Sequence, residues 1–303
     1  MAKVPPLLAF AICSFIWGTT WLAIKIGYGG LDPVWGASLR FLLASICMTP
    51  LILARGAPPP TSARHVGVVL FVGLVLFGLD YGLIYWGEQF LTSGLTAILF
   101  ATMPLFVAVF GAVLIPSERL TVQHAAGVAV GFLGLLLIFG SDLRGADTAL
   151  WPMVAIVVSA VAAGSSSVVV RRWGRDLSPL SLNASAMMVG GLSLAAASLL
   201  LHEQQTLPRT GAAWGSLLFL VAFGSVVSFI LYWGLLRVWS HHRAGLVPIV
   251  TPVVAVTTGL LVGERLTALQ WVGSAVVLLG VALSLMPSKT PQAAADDVPA
   301  PGK

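Results

Sequence analysis

Residues 87–121 read GEQFLTSGLTAILFATMPLFVAVFGAVLIPSERLT. From Leu91 to Ile115 the run is apolar and longer than the ~20 residues a helix needs to cross about 30 Å of hydrocarbon. Pro104 stands near its middle, and a charged turn, Glu118-Arg119-Leu120-Thr121, closes it. The same turn recurs as Glu264-Arg265-Leu266-Thr267, displaced by 146 positions. Upstream, Leu83-Ile84-Tyr85-Trp86-Gly87 recurs as Ile230-Leu231-Tyr232-Trp233-Gly234 at a displacement of 147, and Pro104 recurs as Pro252 at 148. Each turn is followed by a Gly-rich apolar run, GVAVGFLGLLLIF in one copy and GSAVVLLGVALSL in the other. Several matches in one order at nearly one displacement make an internal repeat.

The rest of the chain extends this pattern. Of its 303 residues 58% are apolar and only 9% charged, and mean hydropathy is +0.97. Soluble domains run near 45–50% apolar and about 25% charged, and could not bury this excess. The net charge of +5 reflects scarce acids rather than a basic patch, which argues against a nucleic-acid partner. Two cysteines cannot staple a chain of this length, which excludes a disulfide-built secreted domain. Apolar runs mark ten spans, at about 5–26, 33–54, 66–87, 91–115, 122–140, 151–171, 180–201, 212–236, 243–263 and 269–286. The expected fold is therefore an all-α membrane protein, with a first five-helix repeat over 1–147, a second over 148–286 and a disordered tail over 287–303. No cleavable signal peptide is expected, because the first span is too long and lacks a small-residue cleavage site.

Lys and Arg in alternate loops set the orientation. One side collects 11 of them (Lys3, Arg55, Arg64, Arg119, Arg171, Arg172, Arg175, Arg237, Arg243, Lys289, Lys303) and the other 4 (Lys25, Arg144, Arg209, Arg265). That count places both termini in the cytoplasm and the chain in a plasma membrane, the inner membrane of a bacterium. Five spans per repeat is an odd number, so the second copy enters from the opposite side. Inverted repeats give inward-open and outward-open states of similar energy and place the site at the repeat interface near the midplane. The expectation is alternating access by a secondary carrier.

The stretch opened above resembles the hallmark region of the EamA half-domain of the drug/metabolite transporter superfamily. HHRAGLVPIVTPVVAVTTGLLVGERLT, residues 241–267, is similar to its second-copy form, and Trp17-Gly18 in the first span fits as well. The resemblance covers nearly the whole chain in two copies. It implies a ten-helix carrier of small metabolites, often an exporter of amino acids, with bacterial aromatic amino-acid exporters among the nearest in character.

Polar groups placed inside a bilayer cost free energy and mark candidate sites. Arg40 and Asp80 each lie seven residues in from one end of their spans, a matching depth of roughly 10 Å. Two readings stand for them: an ion pair locking two helices, or an Asp80 that accepts a substrate amine or a coupling proton. Trp17 and Thr20 fall near the midplane of the first span, where a cavity wall and a close helix crossing compete. Tyr81, Tyr85 and Tyr232 stand between substrate contact and the aromatic belt of an interface, and Phe100 and Met103 between cavity wall and core. Ser165, in Gly164-Ser165-Ser166-Ser167, aligns with the Gly18-Thr19-Thr20 segment and offers hydroxyls to a polar substrate or to a neighbouring helix. Pro104 and Pro252 are hinge candidates.

The Glu-Arg turns are expected to cap helices and pair locally. His241-His242-Arg243 is expected to be a solvated loop, because adjacent histidines supply no proper ligand set for a metal. Cys13 and Cys47 are expected to be small packing residues. No phosphate loop of the Gly-x-x-x-x-Gly-Lys-Ser/Thr type occurs, and no His-Glu-x-x-His or paired nucleophile is present. An ATP-driven pump and an intramembrane protease are thus disfavoured, and neither cofactor nor metal is expected. The function expected is export of small metabolites, amino acids with aromatic or other apolar or neutral side chains, with protons as the candidate coupled ion. A drug or nucleotide-sugar exchanger of the same superfamily is the alternative, with an intramembrane enzyme and a channel more remote.

Overall fold

A computed structural model describes residues 5–115, 121–142, 150–238 and 247–286. The Glu118-Arg119 turn, the His241-His242-Arg243 loop and the tail from Pro287 lie outside the described residues. Within them every regular element is helical, and nine helices are long and apolar enough to cross a membrane. Three spans are single helices in the first repeat: α1 (Pro6–Gly27), α2 (Pro33–Arg55) and α7 (Val122–Asp142). The third is built of α3 (Ala63–Phe71), a π-helical stretch (Val72–Asp80) and α4 (Tyr81–Gly87), and the fourth of α5 (Ser93–Phe100) and α6 (Met103–Leu114). The second repeat follows with α8 (Leu150–Trp173) and α9 (Pro179–Leu200). Its third span is α10 (Gly211–Phe219), a π-helical stretch (Leu220–Val227) and α11 (Ser228–Val238), and α12 (Val247–Leu261) and α13 (Ala268–Leu285) complete it.

Local chemistry sets the ends. Pro6, Pro33 and Pro179 open α1, α2 and α9, where a missing N–H costs nothing. Gly56 closes α2 with φ +56°, a left-handed conformation that glycine tolerates. The hydroxyls of Ser62, Thr92, Thr210 and Thr267 accept from amides in the first turns of α3, α5, α10 and α13. Thr267 and Gln270 form a reciprocal capping box, so the closing Thr of the second repeated turn does cap a helix.

The two repeats meet through matching pairs. In α2 and α9 the Ser45 hydroxyl donates to Ala184 O and the Ser38 hydroxyl to Gly191 O, both at 2.8 Å; rising numbers on one helix meet falling numbers on the other, so the pair is antiparallel. Likewise α7 and α13 cross antiparallel on glycines: a Cβ on Gly134 would lie 2.8 Å from Gly273 O, and one on Gly280 would lie 2.3 Å from Gly131 N. Equivalent helices running in opposite senses make the repeats inverted. The face holding Pro5 and Met286 is called the terminal face below, and its opposite the far face.

The π-helical stretches fall at equivalent places in the two third spans, where unbroken helices are the expectation from sequence. They loosen the ladder by one residue per turn. The two prolines behave differently. Pro104 follows a tight turn at Ala101–Thr102 and starts α6, whereas Pro252 lies inside α12, which continues through it.

Candidate functional site

A cavity of about 240 Å³ lies between the repeats, near the lower end of ligand pockets of roughly 300–1,000 Å³. From the first repeat it is lined by Trp17, Thr20, Trp21 and Ile24 of α1, Arg40 of α2, Asp80, Tyr81 and Ile84 of the third span, and Phe100 and Met103 of the fourth. From the second come Ser167 of α8, Phe229 and Tyr232 of α11, and Val247, Thr251 and Pro252 of α12. The expected residues Trp17, Thr20, Arg40, Asp80, Tyr81, Phe100, Met103, Tyr232 and Pro252 thus share one wall, and Tyr85, Ser165 and Pro104 do not. Ser165 donates to Ala162 O on its own helix, and the cavity meets Ser167 instead. Tyr85 stands behind Arg40, 3.5 Å from Nη1 through its hydroxyl.

Aromatic rings line the cavity along its length. Trp17 lies 5.0 Å from Tyr232 and 5.6 Å from Phe229, centroid to centroid. Trp21 lies tilted against Phe100 at 5.4 Å, and Tyr81 packs edge-on to Phe41 at 4.6 Å. Such tilted and edge contacts hold rings in place beyond what burial alone gives.

Arg40 and Asp80 are both buried, and they do not form an ion pair. The Arg40 guanidinium reaches across to the second repeat. Nε donates to Ser225 Oγ at 3.1 Å, and Nη2 to Gly224 O at 3.4 Å, inside the second π-helical stretch. The Tyr81 and Phe41 rings face it at 5.1 and 5.2 Å. Among the described residues no carboxylate comes within ion-pair distance of Arg40. Neither oxygen of Asp80 has a hydrogen-bond partner, and the hydroxyl of neighbouring Ser159 donates to Ile156 O. The expectation of a locking ion pair fails because the π-helical turn offers Arg40 nearer acceptors.

The far face is tied across the repeats. Glu264, expected to pair locally, instead accepts from Ser93 N at 3.0 and 2.9 Å and from the Ser93 hydroxyl at 2.7 Å. A carboxylate from the second repeat therefore caps α5 of the first, where the helix dipole favours negative charge. Lys25 Nζ lies 3.5 Å from Glu264 and donates to Leu91 O. Glu88 is fully buried beside them with neither oxygen hydrogen-bonded. Burial pushes its carboxyl well above the usual carboxylate range, against the pull of Lys25, while Glu264 adds to the rise. A second tie runs from Glu203, which accepts from Val34 N at 3.1 Å and Trp35 N at 2.8 Å. At the terminal face Asp176 meets Arg64 at 2.6 Å and His65 at 2.9 Å, and the hydrogen bond from His65 holds its carboxyl below the usual range. These ties lie in loops where sequence shows only scattered charges. Cys13 is buried as expected, whereas Cys47 is exposed on the outside of the bundle.

Comparison with known proteins gives one consistent answer. The model of the EamA-like transporter family matches residues 4–140 and again 150–286. The uncharacterized transporter YoaV of Bacillus subtilis is 27% identical over 284 residues, covering 93% of this chain and 96% of its own length. The uncharacterized inner membrane transporter YedA of Escherichia coli is 30% identical over 275 residues, covering 88% and 86%. A solved crystal structure superposes with a TM-score of 0.66 at 20% identity, over 92% of this chain and 96% of that one, a likeness of fold alone. With two family matches spanning the inverted repeats, the chain is a multi-pass membrane protein belonging to the EamA-like transporter family.

Proposed function

We propose that this chain is a secondary transporter that exports small metabolites, amino acids with aromatic or other apolar or neutral side chains, by alternating access. The observation that carries this reading is the placement of one cavity between two inverted repeats, both of which line it, with a polar latch over the far face. The repeats, 1–147 and 148–286, rock about that cavity, and the aromatic rings suit an apolar side chain. The Lys and Arg distribution puts the terminal face in the cytoplasm and the far face outside. The YedA relative carries an inner-membrane name, which supports the same membrane here.

Counterflow in proteoliposomes with a panel of labelled amino acids tests the reading. Saturable, trans-stimulated uptake of at least one member is the expected result, and an imposed pH gradient tests proton coupling. Flux that does not saturate would mean a channel, and product formation an enzyme. A panel in which no amino acid moves or competes would sink the substrate assignment.

A further inference from the structure

We infer that Arg40 and Asp80 form a split receptor for a zwitterionic headgroup, Arg40 taking the substrate carboxylate and Asp80 its ammonium, with the substrate's side chain directed toward Trp17, Phe229 and Tyr232. The inference rests on the proposed export of amino acids and specifies how the site reads them.

A guanidinium and a carboxyl stand buried in the wall of one cavity without pairing with each other. Arg40 donates to a hydroxyl, a carbonyl and a phenol at 3.1–3.5 Å, all neutral acceptors, and no carboxylate among the described residues lies within ion-pair distance of it. Asp80 has no donor on either oxygen. A buried charge costs several kcal/mol unless it is paired and hydrogen-bonded. A ligand with one anionic and one cationic group satisfies both residues at once, whereas an amine or an acid alone satisfies one and leaves the other orphaned.

The repeat shows that this polarity belongs to the site. At the repeat displacement of 146–147, Arg40 corresponds to Ala186 and Asp80 to Val227, so both charges occur in the first copy only. Inverted symmetry needs neither group for the fold, and both ionisable groups fall in the first-repeat wall of a cavity that Phe229 and Tyr232 line from the second. Along the third span of the second repeat, Ser225, which holds Arg40, and Tyr232 are seven residues apart, roughly 10 Å at 1.5 Å per residue. That length separates a headgroup subsite at mid-span from an aromatic subsite nearer the terminal face.

The test uses the full-length protein in proteoliposomes. Labelled phenylalanine and labelled leucine are moved by counterflow, with three competitors for each: the amino acid, its decarboxylated amine and its deaminated acid. In the wild type each single-charge analogue competes at least ~10-fold more weakly than the amino acid, the equivalent of about 1.4 kcal/mol. Arg40→Gln brings the ratio of amino acid to amine close to one and keeps the ratio of amino acid to acid; Asp80→Asn does the reverse. Arg40→Lys and Asp80→Glu, which keep the charges, retain both preferences in part and show that the variants fold. Analogues that compete as well as the amino acid in the wild type overturn the split receptor while leaving the carrier intact, whatever the variants do. Variants that weaken all three competitors by one factor overturn it as well, since that is the signature of a structural role. If neither amino acid moves or competes in the wild type while another panel member does, the inference falls and export stands; if no amino acid moves at all, both fall.

Discussion

Glu88 holds a fully buried carboxyl with no donor on either oxygen, between Lys25, which attracts it, and Glu264, which repels it. Arg40 and the Tyr28 and Tyr85 hydroxyls complete its charged and titratable surroundings. A carboxyl whose pKa is higher folded than unfolded binds its proton more tightly in the folded protein. Its penalty is absent at pH below the unfolded value and grows as pH rises from there toward the folded value. Replacing Glu88 by Gln removes that penalty. The variant is expected to unfold at about 2–4 °C above the wild type near pH 8 for each 1 kcal/mol regained, with the gap closing as pH falls toward 4. Asp176 acts with the opposite sign: its hydrogen bond from His65 lowers its pKa, so its contribution is lost only as pH falls below the ordinary carboxylate range. A gap that stays constant with pH would contradict the assignment to Glu88. Residue-scale features were unevenly legible. Arg40 and Asp80 stood out because charge within an apolar run has a cost that sequence displays. Ser165 and Ser167 could not be told apart, because two positions along a helix turn the side chain by about 200° and only packing says which direction is the cavity.

At the scale of elements, the glycines of the two fifth-in-repeat helices show what the repeat needed them for. Along α7 and α13, Gly131, Gly134, Gly273 and Gly280 let the backbones touch, which is how helices associate where lipid removes the hydrophobic drive. Gly280→Leu puts a side chain where a Cβ alone already lies 2.3 Å from Gly131 N. Overpacking of this kind costs about 1–3 kcal/mol or more, so thermal unfolding in detergent is expected several degrees lower. Gly140→Ala, on the partner helix α7 with nothing within 4 Å of the added carbon, is the control, and equal effects of the two would refute the crossing. The Gly-rich runs were visible in sequence, as were the spans; nine of the ten expected are long enough to cross a membrane among the described residues, and α12 is shorter at 15 residues. The π-helical stretches were not, since Val72–Asp80 and Leu220–Val227 are ordinary apolar sequence and the widened turn is selected by neighbours such as Arg40, which takes the Gly224 carbonyl. Pro104 and Pro252 looked equivalent for the opposite reason: the residue type repeats, while only the first sits where the chain turns before the helix restarts.

For the whole molecule the question is what holds the far face shut. Two carboxylates of the second repeat, Glu203 and Glu264, sit on the first turns of α2 and α5 of the first. They differ in what surrounds them. Glu203 ties α2, whose partner α9 is bound to it along the span by Ser38 and Ser45, so it belongs to a scaffold. Glu264 ties α5, which lines the cavity, and engages Lys25 of α1, which lines it as well. Opening the cavity to the far face therefore requires the Glu264 contacts to break and can leave those of Glu203 in place. Hydrogen bonds to a charged group contribute about 1.5–3 kcal/mol, so Glu264→Gln is expected to shift the population toward the far-face-open state by about ten-fold or more. The reporter is Ala101→Cys, on the cavity wall, in a background carrying Cys13→Ala and Cys47→Ser. A membrane-impermeant thiol reagent added from the far face labels it about ten-fold faster when Glu264→Gln is present. Glu203→Gln loosens the fold without speeding that labelling. Equal labelling with and without Glu264→Gln would show that the latch does not gate the cavity, and faster labelling in Glu203→Gln would show that the two ties open as one.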